Sequence, residues 1–361
     1  MSAKIARTRS ATSPCPITWD GTAVVNPTNR GRTVDAGERR ASSLECVRRR
    51  TAAGFTSTVT RSSKRGSPRP MLEGFTSSKV KTTAGIEIHV TAGGRGKPLL
   101  LLHGYPQTHV MWHKIAPALA ERFTVVMPDL RGYGNSEKPA ADDKHLSYSR
   151  RVMAQDQIDV MRALGFNRFQ AAGHDRGARV LHRLCLDHPD AVERAAVLDI
   201  APTASMYART DKAFATAYFH WFFLIQPSDL PERMIGADPD DWLRRLLGHW
   251  SRKPGVFTDD AVSEYMRCFR DPACIAATCE DYRAAATIDI EHDRADAEKQ
   301  VTCPLLVLWG SEGVVGRMFD ALALWRERAT DVRGRSLPCG HFLPEEAPRE
   351  TLAALQEFLV A

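Results

Sequence analysis

Phe169-Gln-Ala-Ala-Gly-His-Asp-Arg-Gly-Ala-Arg179 is the stretch that decides the fold. A short apolar strand at 169–172 runs into Gly173-His174-Asp175-Arg176-Gly177, and a helical pattern follows over 178–187. A Gly-x-X-x-Gly turn between strand and helix is the nucleophile elbow, a sharp bend that exposes its apex side chain at the top of a sheet. The usual apex is serine; here it is Asp175. The exchange changes the chemistry. A serine elbow transfers acyl groups from esters, whereas a carboxylate displaces a leaving group from saturated carbon and itself becomes the ester. A carboxylate of ordinary pKa is ionised at neutral pH and needs no base to activate it. Turn-capping aspartates are common, but one between two glycines in a strand–turn–helix sequence reads as a nucleophile.

Outward from the elbow, further short apolar runs alternate with helical patterns. Residues 80–83 and 86–91 flank Ala84-Gly85 as a hairpin, and the four leucines 99–102 read as a strand buried on both faces. Residues 124–127, 196–200 and 305–309 are further strands, while 112–121, 150–164 and 349–359 carry helical spacing. Such alternation predicts an α/β fold with a mostly parallel sheet flanked by helices. It breaks over 203–299, which is aromatic-rich and reads as several helices without strands. An insertion of that length between core strands is expected to cap the carboxyl edge of the sheet. The core then comprises 71–202 and 300–361.

The first 70 residues are different in kind. They hold 14 Lys and Arg against 4 Asp and Glu, leaving 35 against 39 for the rest, so the net charge of +6 belongs to the front segment. The basic balance therefore gives no case for a nucleic-acid partner. Rich in Ser, Thr and Arg, the segment cannot bury enough apolar surface to offset its ordering entropy and is expected to be disordered. Four acids and poor amphipathic periodicity argue against a transit peptide, and no apolar run suits a secretory signal or a membrane span. The preferred expectation is an upstream extension, with Met71 the true start and the compact fold beginning near Val80. The cysteines at 15, 46, 185, 268, 274, 279, 303 and 339 are scattered without a Cys-x-x-Cys pair. Reduced thiols in a cytoplasmic protein are the expectation, with no metal and no cofactor.

Together with Asp175, the segments His103-Gly104-Tyr105-Pro106-Gln107-Thr108 and Asp129-Leu130-Arg131-Gly132-Tyr133-Gly134 resemble the dehalogenase and epoxide-hydrolase branch of the α/β-hydrolase fold. Adding Leu198-Asp199-Ile200, His220-Trp221, Glu280-Asp281-Tyr282-Arg283 and the stretch Gly340-His341-Phe-Leu-Pro-Glu-Glu346, the chain from about 72 to 361 is similar to the haloacetate (fluoroacetate) dehalogenases. The resemblance implies a homodimer acting on a small-molecule haloacid, with neither nucleic acid nor membrane as partner. It implies Asp175 as nucleophile, His341 as the base that activates water, and Asp199 orienting that histidine. Glu312, after the following strand, is the rival acid. Arg176 and Arg179 would grip the substrate carboxylate, and His220, Trp221 and Tyr282 the departing halide. The backbone N–H groups of Tyr105 and Arg176 would receive the oxyanion. Tyr105 stands where the family would place phenylalanine.

The reaction so implied is hydrolysis of a short 2-haloacid, such as fluoroacetate or chloroacetate, to the 2-hydroxyacid and halide. An epoxide hydrolase is the alternative, using the same Asp175 with Tyr282 and one of Tyr207, Tyr218 or Tyr265 as ring-oxygen donors. The arginines speak against it, because a neutral epoxide leaves buried cations without a partner. A non-catalytic binding protein has no need of a full nucleophile, acid and histidine set. The absent serine disfavours an ordinary esterase.

Overall fold

The computed structural model describes residues 71–360; the expectations for the basic front segment lie outside the described residues. These residues fall within one compact unit. Its centre is an eight-stranded sheet in the order β1-β2-β4-β3-β5-β6-β7-β8. The strands are β1 Phe75–Lys81, β2 Glu87–Gly94, β3 Lys97–Leu102, β4 Phe123–Pro128, β5 Phe169–His174, β6 Val192–Leu198, β7 Leu305–Gly310 and β8 Val332–Leu337. The β1–β2 and β2–β4 pairs are antiparallel and all others parallel. Leu99, Leu100, Leu101 and Leu102 are fully buried, as a strand with helices over both faces requires.

Three boundaries differ from the sequence reading. β1 begins at Phe75 rather than near Val80, because it pairs with β2 along its whole length, from Phe75 opposite Gly93 to Lys81 opposite Glu87. Its Thr-Ser-Ser-Lys stretch is exposed and carries no apolar alternation. The single helix expected over 112–121 is a 3-10 turn, His109–Trp112, followed by a short helix, Ala116–Ala120, with Pro117 in its first turn. β8 was not legible at all. Val332-Arg-Gly-Arg-Ser-Leu337 pairs only with β7, so most of its side chains face solvent. Arg333 and Arg335 on such an edge discourage pairing with another chain.

Between β6 and β7 the chain forms eight helices, Thr203–Ala208, Lys212–Ala217, Phe219–Phe223, Leu230–Ala237, Pro239–Trp250, Asp259–Phe269, Pro272–Ala286 and Ile288–Ala295. Their starts are set locally. Asp211, Asp238, Thr258 and Asp271 each accept a first-turn N–H through the side chain, worth about 1 kcal/mol apiece. Pro239 and Pro272 open the helices that follow two of these caps. The aromatics that marked this region pack on one another, as in Phe214 against Trp221 at 5.7 Å between ring centroids. No helix among the described residues is long and apolar enough to cross a membrane.

Candidate active site

The elbow is built by close approach. The helix Asp175–Asp187 starts directly after β5. A Cβ on Gly173 would lie 2.7 Å from the Ala178 backbone, and one on Gly177 would strike the carbonyls of Leu102 and His103. Only glycine lets this helix seat against β3 and β5. Asp175 itself sits at φ 47, in the left-handed region, a strained conformation costing on the order of 1–3 kcal/mol. The turn projects its carboxylate towards three loops at the carboxyl edge of the sheet.

The loop after β3 supplies Tyr105, whose backbone N–H donates to Asp175 Oδ1 at 3.0 Å. Gly104 permits this, since a Cβ there would stand 2.5 Å from Asp175 Cβ. The loop after β8 supplies His341, with Nε2 3.9 Å from Asp175 Oδ2. The turn after β6 supplies Asp199, at φ 52, whose Oδ2 accepts His341 Nδ1–H at 2.6 Å. Asp199 Oδ1 is held in turn by the Gly310 N–H at 2.9 Å. Glu312 is exposed and makes no side-chain contact with His341 among the described residues. Thus the acid on His341 is Asp199.

Electrostatics complement this geometry. Burial alone would raise the Asp175 carboxyl, but the opposing charges of His341, Arg179 and Arg176 dominate and hold it at about 2. Burial would lower His341; the Asp199 hydrogen bond and the charges of Asp199 and Asp175 outweigh it and raise the imidazole above its ordinary value. Burial likewise pushes the Asp199 carboxyl up, against the hydrogen bond and charge of His341 that lower it; Asp175, held at about 2, is ionised at neutral pH.

The two arginines have different surroundings. Arg176 is buried and occupied: Nε donates to Asp281 Oδ2 at 2.8 Å, and a second nitrogen reaches Asp281 O at 2.8 Å as well as Oδ1. Tyr133 Oη donates to the same carboxylate at 2.6 Å. Asp281 neutralises Arg176, so the sequence argument that both cations lack a partner holds for one of them. Arg179 is that one. One nitrogen donates to Ala201 O at 3.0 Å and Thr203 Oγ1 at 2.7 Å, its Nε has no acceptor, and no carboxylate among the described residues pairs with it. Burial, and next the nearby Arg150, lower it to about 10, which still leaves it charged.

The aromatic donors lie beside these cations. Arg176 stands over the Tyr282 ring at 4.3 Å and Arg179 over the Trp221 ring at 4.7 Å. His220 and Tyr282 are in contact, 5.7 Å between centroids, and both His220 Nδ1 and Tyr282 Oη are buried without a hydrogen-bond partner among the described residues. Burial pushes His220 down to about 3, so its ring is neutral with one N–H to donate. Of the other tyrosines, Tyr265 Oη is engaged by Glu345 at 3.1 Å, while Tyr207 packs on Trp221 at 4.9 Å. Arg183 pairs with Asp187 and Asp296, and His103 joins Gly104 O to the Leu130 N–H; both are structural.

Sequence reasoning missed Asp281 as the counter-ion of Arg176, although the Glu-Asp-Tyr-Arg motif contained it. It also missed His174, whose Nε2–H holds His341 O at 2.8 Å, and Trp250, whose ring packs on His341 at 5.4 Å and His220 at 4.5 Å. A further group with ligand-type side chains is His89, His109 and Asp129. There the Asp129 carboxylate is filled by the His109 N–H (2.9 Å), His109 Nδ1 (2.8 Å), the Asn135 N–H (2.9 Å) and His89 Nδ1 (3.1 Å). With three hydrogen bonds made to it and His89 Nδ1 beside it, the carboxylate is a structural anchor. The cysteines 185, 268, 274, 279, 303 and 339 are free thiols.

A model of the alpha/beta hydrolase fold matches residues 97–348 of the chain. The chain is 47% identical over 290 residues to a fluoroacetate dehalogenase of Burkholderia sp, covering 80% of this chain and 95% of that one. It is 34% identical over 281 residues to a soluble epoxide hydrolase of Corynebacterium sp. (strain C12), covering 76% and 94%. Among solved structures, a Nostoc sp PCC 7120 protein provisionally assigned as an α/β hydrolase superposes with a TM-score of 0.78 at 61% identity, covering 79% and 98%.

Proposed function

The chain belongs to the α/β-hydrolase family, in its haloacetate (fluoroacetate) dehalogenase branch, and on that premise we propose that it hydrolyses short 2-haloacids to 2-hydroxyacids and halide. The observation that carries this reading is Arg179, a buried guanidinium without a carboxylate partner among the described residues, one helical turn from a carboxylate nucleophile. An unpaired buried ion costs several kcal/mol, and a substrate carboxylate offsets that cost at the place where it also presents its α-carbon to Asp175. A neutral epoxide does not.

Asp175 Oδ1 is held by the Tyr105 N–H, so Oδ2 is the attacking oxygen. It bonds to the α-carbon as the carbon–halogen bond breaks, and the halide leaves with the bonding pair towards the unpaired donors of His220 and Tyr282, with Trp221 beside them. A water then gives its proton to His341 Nε2 and attacks Asp175 Cγ; the oxyanion forms on Oδ1, facing the Tyr105 N–H and the first-turn Arg176 N–H. Collapse breaks the Cγ–Oδ2 bond and the hydroxyacid departs with Oδ2. In this reading 203–299 is a cap that keeps water from the halide donors, and Arg176, held by Asp281, orients the acid and Tyr282 rather than carrying unbalanced charge. The same reading carries a homodimer in the cytoplasm, which sedimentation velocity and cell fractionation test.

The deciding experiment gives purified protein fluoroacetate, chloroacetate and bromoacetate in turn, with styrene oxide as the competing substrate. Halide and glycolate should appear from the acids. Diol from styrene oxide without halide from any haloacetate would put the epoxide reading first. A second expectation concerns Arg179→Met, which removes the unbalanced charge at similar volume. It should lower kcat/KM for chloroacetate roughly 100-fold, the worth of a charged hydrogen bond of about 3 kcal/mol, mostly through KM. Arg179→Lys should recover only part, because an ammonium lacks the planar fork. Unchanged KM in both variants would mean that the acid is gripped elsewhere.

A further inference from the structure

A narrow cleft runs between the helical insertion and the loops that follow β7 and β8. Tyr218, His249, Trp250 and Arg252 of the insertion, Gly313 and Val314 after β7, and His341 after β8 line it. Arg252 is exposed whereas Trp250, Gly313 and His341 are buried, so the cleft leads inward from the surface. Its free volume is about 10 Å³, room for about one water and too little for a carboxylic acid. Gly313 keeps it open beside the triad acid: a Cβ there would stand 3.4 Å from Asp199 Oδ1 and 3.5 Å from Oδ2. Two of its lining residues carry a buried polar atom without a partner among the described residues, the Trp250 Nε1 donor and the His341 Nε2 acceptor. Arg179, His220 and Tyr282 are not part of its lining.

The reaction proposed above needs such a route. While the ester stands on Asp175, the acid portion fills the space between Arg179 and the halide donors, and the second reactant must reach His341 from another side. We propose that this cleft is the passage by which the hydrolytic water arrives at His341, with Val314 and Trp250 setting its width. The inference rests on Asp175 as nucleophile and His341 as base. The water brought in forms its bond to Asp175 Cγ, its proton passes to His341 Nε2, and the departing alkoxide takes that proton back. Trp250 Nε1 is a stepping point along the way, since a buried indole N–H without an acceptor favours a transient water partner.

Plugging the cleft tests it. Val314→Trp fills the inner wall; Arg252→Trp covers the exposed mouth, where a large side chain leaves the core undisturbed. Rapid-quench halide measurement and intact-protein mass spectrometry with chloroacetate separate the two chemical steps. The first-turnover halide burst should keep its wild-type rate and amplitude, steady turnover should fall at least tenfold, and the ester adduct should accumulate. If Val314→Trp fails to fold, Arg252→Trp alone decides. Unchanged turnover without adduct overturns the proposal, and so does a burst slowed in step with turnover, which would make the cleft the route of the acid. Wild-type enzyme that releases no halide overturns the parent reading and this one with it; wild-type release with unaffected plugged variants overturns this one alone.

Discussion

Asp175→Asn should release no halide from chloroacetate above background, a loss of at least about 10⁴-fold in line with removal of a covalent nucleophile. Asparagine has nearly the same shape, tolerates the left-handed backbone that Asp175 adopts at φ 47, and can still present an oxygen to the Tyr105 N–H that now meets Oδ1. The fold should therefore survive, and circular dichroism together with the thermal midpoint checks that it does. What disappears is a negative charge lying between two cations. Asp175 is one of the groups that raise His341, so the imidazole of the variant should titrate lower than in the wild type, visible by NMR of the ring protons. Arg179 likewise loses the carboxylate that favours its charged form. The variant should still bind chloroacetate, because the substrate carboxylate then meets an Arg179 that no carboxylate among the described residues pairs with. Binding without turnover is the signature of a nucleophile. Halide release near the wild-type rate would instead mean direct attack by water, with Asp175 only a charge near the site.

Much of this site was readable from residues alone because an elbow is a local object. Gly173, Asp175 and Gly177 are close in sequence, and the steric need for both glycines follows from one turn. The strands that position the loops were legible where they are buried on both faces, as in Leu99–Leu102, and invisible where they are edges, as in Val332–Leu337. The pairing of His341 with Asp199 rather than Glu312 came from the resemblance and not from the residues themselves, because it depends on where two loops 142 residues apart meet. The same holds for Asp281. Its neighbours in sequence give no hint that it reaches Arg176 across 105 residues, and so the two arginines, alike on paper, have unlike charges to offer. Chemistry-bearing residues announce themselves by type and spacing; their counter-ions are chosen by tertiary contact.

The second large effect concerns the step after the ester. His341→Asn should turn the enzyme into a reagent that works once. The displacement at carbon needs only the ionised Asp175, the grip on the acid and the halide donors, so one equivalent of halide per site should appear in a burst. Hydrolysis then stalls for want of a base, and intact-protein mass spectrometry should find the chain heavier by one carboxymethyl group, on the peptide containing Asp175. Turnover should fall by about 10³-fold or more, the usual span for losing a positioned base. Heavy-oxygen water sharpens the test in the wild type: a single turnover should yield unlabelled hydroxyacid, its oxygen drawn from Asp175 Oδ2, while the label enters the carboxylate of Asp175. Acid should imitate the substitution. Asp175 is held at about 2, so the burst should persist down to about pH 5, where a carboxylate of that pKa is still ionised. His341 must be neutral to accept a proton, so the second step should rise with pH through the titration of the imidazole. That titration lies lower in the ester form than in the free enzyme, since esterification deletes the Asp175 charge that helps raise it. Wild type quenched in acid should thus show the same adduct that His341→Asn shows at neutral pH. An acid-quenched enzyme free of adduct, alongside a His341→Asn variant with no burst, would mean that halide departure and water attack belong to one step, and the two-carboxylate, one-histidine geometry would have to be read as general-base catalysis instead.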